Sequence, residues 1–137
     1  MRGLFRRLRG SVRGVAALEF AIAGPVLVLA IVGAVQLGVL FFANAGLNNA
    51  LDEGARYATI YDTSTGTRPT NSQITNHITT HEYGLTPANV GGPTFATGTD
   101  NGAKYLEITL TYQVPLNFVL IRVPPVTLSK TRRVYVY

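Results

Sequence analysis

Two features of the sequence have residue types and a spacing that could support chemistry. His77 and His81 lie four residues apart, so on a helix both rings would face one side, as a pair of metal ligands does. No third ligand follows at a useful spacing, and the order H-I-T-T-H-E is not the H-E-x-x-H of a zinc protease. We therefore interpret them as surface histidines and predict no metal, no cofactor and no catalytic residue.

The second feature is Glu19, a carboxylate at the edge of a long apolar run. Residues 20–43 carry no formal charge, and this run exceeds the roughly 20 apolar residues that a membrane-spanning helix needs. A charged side chain at the centre of such a helix costs about 2.5 to 3.5 kcal/mol, and less at its edge. Glu19 is therefore either a tolerated interfacial acid paired with Arg13, or the partner of an α-amino group that cleavage between Gly14 and Val15 would create.

The net charge of +5 belongs to the N-terminus. Five arginines and no acid precede Gly14, and the rest of the chain has seven basic and seven acidic side chains. The positive-inside rule then predicts a cytoplasmic N-terminus and an external location for everything after about Asn44. A neutral body without a basic stripe argues against nucleic-acid binding. The lack of cysteine gives no sign of disulfides or of a thiolate metal site.

A secreted protein is an alternative. The tripeptide A-N-A at residues 43–45 resembles a signal-peptidase site, and cleavage there would leave Gly46 as the first residue. The apolar part of a signal peptide is usually about 7 to 15 residues long, and the run here is much longer. We expect a membrane anchor instead.

The apolar run continues into an amphipathic stretch, which predicts a single helix from about Val15 to about Tyr61. Pro25 removes a backbone donor and should kink or loosen this helix. Gly54 costs about 1 kcal/mol relative to alanine within a helix, which indicates a close backbone contact, expected with the sheet. Small residues at four-residue spacing form a candidate helix-packing ladder, although such residues are also common in membrane helices. The ladder consists of Ala30, Ala34 and Gly38.

The C-terminal part predicts one short helix and three antiparallel strands. Thr70 and Gln73 have the form of a capping box, which opens a helix from about Asn71 to Tyr83. Residues 103–114 alternate between polar and apolar, as a half-buried strand does, and follow a D-N-G turn. We predict an α+β fold in which the long helix packs on a small antiparallel sheet. The predicted divisions are a leader at 1–14, a membrane helix at 15–43 and an external α+β domain at 44–137.

The segment R-G-V-A-A-L-E-F, residues 13–20, resembles the signal of type IV prepilins: a basic leader, a glycine, then glutamate and an aromatic residue at the fifth and sixth mature positions. Pro25 stands at the eleventh. Over about residues 14–59 the chain resembles more closely the TadE-like pseudopilins of the tight adherence (Tad or Flp) pilus. The remainder resembles them in layout alone, a short helix followed by strands. Gln36 stands where many relatives carry an acid.

The resemblance implies a pilin-like fold and a structural role without enzyme activity. Cleavage between Gly14 and Val15 by a prepilin peptidase is implied, with Glu19, Phe20 and Pro25 as recognition and assembly residues. The implied partners are that peptidase, other pseudopilins or the major pilin, an inner-membrane assembly platform and the lipid bilayer. The alternative is an uncleaved, signal-anchored binding or scaffold module outside the cytoplasm that never enters a filament.

Overall fold

The computed structural model describes residues 12–60, 62–63, 65–118 and 123–135, the first two of them by their backbone alone. Two compact units are present, one up to Leu37 and one from Gly38 onward. Residues 1–11 of the predicted leader lie outside the described residues. The predicted division between residues 43 and 44 stays a prediction.

Helix α1 runs from Val12 to Ala58 and confirms the long N-terminal helix of the prediction. It continues through Pro25 without interruption, so the missing amide hydrogen does not end the helix. The helix ends at Ala58, before the predicted end at about Tyr61. By length and composition α1 can cross a membrane, and its side chains over residues 14–37 are mostly exposed.

The C-terminal unit contains a three-stranded antiparallel sheet in the order β1-β2-β3. Strand β1 is Val90–Asp100, β2 is Ala103–Val114 and β3 is Val126–Tyr135. Asn101 and Gly102 connect the first two strands and both have positive φ, 48° and 83°. This is the two-residue turn that matches the twist of a hairpin, and it confirms the predicted turn at D-N-G.

The core lies between the sheet, the second half of α1 and a short helix α2, Asn71–Thr80. Alternate residues of β2 are buried, which confirms the predicted half-buried strand. Every fourth or third residue of α1 from Ala43 to Ala58 is buried as well, so helical and strand periodicities meet in one layer. The largest fully buried side chains are Leu47, Leu51, Ile74, Ile78, Ile108, Leu110 and Val114.

Gly54 makes the close contact that its position in a helix indicates, but the predicted partner was wrong. A Cβ atom added there would lie 2.6 Å from Cδ1 of Ile78 on α2 and still closer to its Cγ1. The glycine therefore lets the backbone of α1 approach α2, and not the sheet. The glycine within the helix indicated a close contact, but nothing in the sequence identified Ile78 as its partner.

Helix α2 begins as predicted and ends earlier. The Thr70 hydroxyl accepts a hydrogen bond from the backbone N–H of Gln73. The side-chain oxygen of Gln73 accepts one from the backbone N–H of Thr70 at 2.8 Å, which completes the capping box. The helix ends at Thr80, because the His81 amide donates to the Ile78 carbonyl in a tighter turn. Gly84 lies beyond the helix with φ of 75°.

Candidate assembly segment

The predicted processing site and Glu19 lie in the first turns of α1. Gly14, Val15 and Glu19 are all exposed, and Val15 exposes 59% of its surface. Residues four apart on a helix lie one above the other on the same face. Glu19 therefore lies one helical turn after Val15, on the same face of α1. Cleavage after Gly14 would turn the backbone nitrogen of Val15 into an α-amino group.

Glu19 lies on an apolar stripe of α1. The side chains that share a shallow groove with it follow at steps of three, four, seven, eight and eleven residues, which is one face of a helix. They are Ile22, Ala23, Val26, Leu27 and Ala30. The acid and the first residue of the small-residue ladder are thus brought to one face, a relation that was not part of the prediction.

Phe20 and Pro25 point away from this stripe. At 3.6 residues per turn, Phe20 is rotated by about 100° from Glu19, and Pro25 by about 120° in the other direction. The Phe20 ring lies over Gly24, where an added Cβ would meet ring carbons at 3.9 Å. The three predicted recognition and assembly residues therefore lie on three different faces of α1. A partner that contacts all three must surround the helix.

The small-residue ladder is open. Ala30 and Ala34 are exposed, and a Cβ added at Gly38 would meet nothing within 4 Å. In the described part of the N-terminal unit α1 is the only element, so this surface is available to a second helix. Gln36 is half-buried and already takes part in an interaction within the chain.

The two histidines form part of a stack of rings and do not converge on a common point. His77 stacks on Tyr57 with centroids 4.4 Å apart, His81 lies 4.2 Å from His77, and Tyr83 meets His81 edge-on. His81 Nδ1 lies 2.7 Å from the His77 carbonyl oxygen and donates to it. Both histidines are half-buried, so the interpretation as surface side chains holds only in part. Among the described residues no group of three metal-ligating side chains could hold an ion.

The second half of α1 has one ion pair within the helix and another to the sheet. Arg56 donates to the Glu53 carboxylate at 2.9 Å, three positions earlier in the same helix. That hydrogen bond holds the pKa of Glu53 below its usual value. Asp52 instead pairs with Arg132 of β3, 80 positions away, so it ties the helix to the sheet. The sequence offers no signal for a pair at that separation.

A contact at the start of the C-terminal unit also escaped prediction. A Cβ at Gly84 would lie 2.6 Å from the Phe42 ring, and a Cβ at Gly46 would lie 2.9 Å from the Tyr83 carbonyl oxygen. The turn after α2 therefore packs closely on α1 through two glycines. Gly84 predicts that α2 stops near this position, but it does not identify the residue that packs against the glycine.

Comparison with known proteins supports the resemblance seen in the sequence. A family model described as TadE-like protein matches residues 14–56. The match covers the segment that carries Glu19, Phe20, Pro25 and the small-residue ladder. No curated protein and no solved structure matches the chain. The matched family is one of structural pilus components and is not known as an enzyme family.

Proposed function

We propose that this chain is a minor pilin-like subunit which, after cleavage between Gly14 and Val15, takes part in assembly of a Tad or Flp-type adhesive pilus. The observation that carries the proposal is the position of Glu19. It is the sole formal charge of residues 14–43, exposed on an apolar stripe one helical turn from Val15. The match to the TadE-like family over this segment supports the same interpretation.

Cleavage changes the electrostatics of the segment in two ways. It removes the five arginines that would hold the N-terminus at the cytoplasmic face. It also leaves an α-ammonium at Val15 at the positive end of the helix macrodipole, where a carboxylate in the first turn is favoured. The processed helix then carries one positive and one negative group near its end, and each can neutralise the other in the same subunit or in its neighbour.

Pairing between neighbouring helices would also set their axial register. An unpaired carboxylate buried in a bundle is penalised heavily, whereas a paired one is tolerated. The stripe that continues from Glu19 to Ala30 offers small and apolar side chains on the same face for close helix packing. We therefore place the partner helix, from another pseudopilin or the major pilin, along this stripe.

The proposed location is the inner membrane, with the N-terminus in the cytoplasm and the C-terminal unit in the periplasm. The length and composition of α1 support membrane anchoring, and the leader arginines support this orientation. The other proposed partners are a prepilin peptidase and an inner-membrane assembly platform. Release by cleavage after Ala45 is disfavoured, because Ala43 is buried in the core and Gly46 packs on Leu85.

N-terminal sequencing and intact mass of the membrane-extracted protein test the first step. A start at Val15 supports the processed pseudopilin. A start at Met1 would favour the uncleaved anchored module, and a start at Gly46 the secreted form. Gly14→Ala should leave the leader attached, and a matched Gly33→Ala, at an open position of the same helix, should be processed normally.

A further inference from the structure

One end of the C-terminal unit is free of charge in its described parts. Four segments meet there: residues 38–46 of α1, residues 83–91 after α2, residues 112–118 at the end of β2, and residues 123–129 at the start of β3. None of them contains Asp, Glu, Lys or Arg. We refer to these four segments together as the apolar end.

Contacts within the unit bring the four segments together. Phe42 lies against Gly84, and Gly46 lies against the carbonyl of Tyr83. The Thr86 amide donates to the Tyr112 hydroxyl at 3.3 Å. The register of the sheet pairs Val114 with Val126 and Val90 with Tyr112. The apolar end is therefore one surface built from helix, turn and sheet.

The apolar end exposes large side chains that a protein surface in water normally covers. Phe41 exposes 68% of its surface, Phe42 64% and Tyr83 67%. Val123 and Val126 are also exposed, beside two exposed prolines in the same segment. Contiguous exposed apolar groups of this kind mark an interaction site.

The ion pairs between the strands and their neighbours, in the described part of the unit, lie away from this end. Asp52 pairs with Arg132 further along both α1 and β3, and Arg133 lies 3.7 Å from Asp100 at the hairpin between β1 and β2. Lys104 is exposed at the same hairpin. The sheet therefore changes from uncharged to charged along its strands, from the apolar end to the hairpin end.

We infer that the apolar end rests in the interfacial zone of a phospholipid bilayer, with Tyr83 and Phe42 at the level of the lipid headgroups. The inference rests on the membrane anchoring proposed above. Phe41 and Phe42 are the last large side chains of the uncharged run, so a bilayer spanned by that run ends beside the surface they share with Tyr83. Aromatic side chains are enriched at that level of a bilayer.

The physical chemistry of the surface fits a lipid partner. No charged side chain lies in the four described segments, so contact of these segments with lipid buries no charge. Tyr83 offers a ring for the acyl boundary and a hydroxyl for the wet headgroups. Glu82, the acid adjacent to the surface, is partly buried, and burial raises the pKa of its carboxyl.

The chain has no tryptophan, so single substitutions give unambiguous fluorescent probes. We would reconstitute the full chain carrying Tyr83→Trp in phosphatidylcholine and phosphatidylglycerol vesicles and measure quenching by lipids brominated at different depths. Val123→Trp, on another segment of the same end, serves if the first variant does not fold. Lys104→Trp, at the hairpin end, is the matched control in water. Val35→Trp, within the apolar run, reports whether α1 spans the bilayer.

We expect the emission of the Tyr83→Trp variant to shift to shorter wavelength and to lose intensity most with bromines near the headgroups. The Lys104 variant should show neither change, and the Val35 variant should be quenched by deep bromines. Quenching at position 35 without quenching at 83 and 123 overturns the inference and leaves membrane anchoring intact. If the Val35 variant is not quenched, the proposal that α1 anchors the chain in the membrane is wrong as well. A shift at position 83 that grows with protein-to-lipid ratio, without quenching by lipid, assigns the surface to a second copy and overturns the inference.

Discussion

Ile78 of α2 packs directly on the backbone of α1 at Gly54, with its Cδ1 2.6 Å from the point where a side chain would begin. Both positions are fully or nearly fully buried in the core of the C-terminal unit. Since the atom that occupies the space belongs to a side chain in a packed core, room for a methyl group requires Ile78 to move. The pair therefore fixes the distance between the two helices.

Gly54→Ala should destabilise the C-terminal unit. Overpacking a core costs about 1 to 3 kcal/mol, which exceeds the gain of about 1 kcal/mol from replacing glycine in a helix. Thermal unfolding of the full chain in detergent, followed by circular dichroism, measures the difference. Asn49→Ala, at a position of the same helix outside the buried core, is the control and should change little. If Ile78→Ala, which removes both contacting carbons, did not relieve part of the loss in the double variant, the contact would not be its cause.

Asp52→Asn should weaken the attachment of the sheet to α1 by a small amount. The two side chains are about half exposed, 51% for Asp52 and 50% for Arg132, and ion pairs that are open to solvent contribute little to stability. A double-mutant cycle with Arg132→Gln isolates the coupling between them. The coupling should shrink as salt is raised. A coupling that is zero at low salt would contradict the contact.

Glu82→Gln should stabilise the folded unit at neutral pH. Burial raises the pKa of the Glu82 carboxyl, so the folded state favours its neutral form. Stability from this group is fully present below the unfolded pKa of about 4.3 and is lost as pH rises through the higher folded pKa. The neutral amide avoids that loss, so unfolding midpoints of variant and wild type should differ at neutral pH and approach each other in acid.

Glu53→Gln should have the opposite pH dependence. The hydrogen bond from Arg56 lowers the pKa of Glu53, so its contribution is present above the unfolded pKa and is lost as pH falls through the lower folded pKa. The variant should be slightly less stable than wild type at neutral pH and equal to it in strong acid. Its partner Arg56 is mostly exposed, so the effect should be small and reduced by salt.

Glu19→Ala should lower the number of pili on cells without preventing membrane insertion. The variant removes the carboxylate proposed to pair with the amine of Val15 and leaves the apolar stripe of α1 in place. Electron microscopy counts pili, and membrane fractionation checks insertion. Val28→Ala, at an exposed position of the same helix outside the groove, is a control for changes in hydrophobicity. A wild-type number of pili in the Glu19 variant would contradict the proposed role of this residue in assembly.

The elements of the fold could be predicted because each has a local cause. The uncharged run and the amphipathic stretch predict α1, the alternation in residues 103–114 predicts β2, and Thr70 with Gln73 predicts the start of α2. Asn101 and Gly102 supply the two positive φ angles of the hairpin turn. The end of α2 was placed too late, because a local hydrogen bond to the Ile78 carbonyl closed the helix before the glycine.

Relations between distant residues could not be predicted in the same way. The glycine at position 54 indicates a close contact with α1, but the partner depends on the path of the loop between α1 and α2. The same holds for Asp52 with Arg132 and for Phe42 with Gly84. Within the candidate assembly segment, the positions of Gly14, Glu19 and Phe20 come from a motif, and the face that Glu19 shares with Ala30 comes from helical geometry.

The sequential order of the strands has a consequence for how the chain matures. Each strand pairs with its neighbour in sequence, so the sheet is a meander of low contact order, and such arrangements form quickly from local hairpins. The sheet buries its apolar face against the second half of α1, which precedes it in the chain. During synthesis the helix on which the sheet packs therefore emerges before the strands, and the meander can close on that helix once β3 is available.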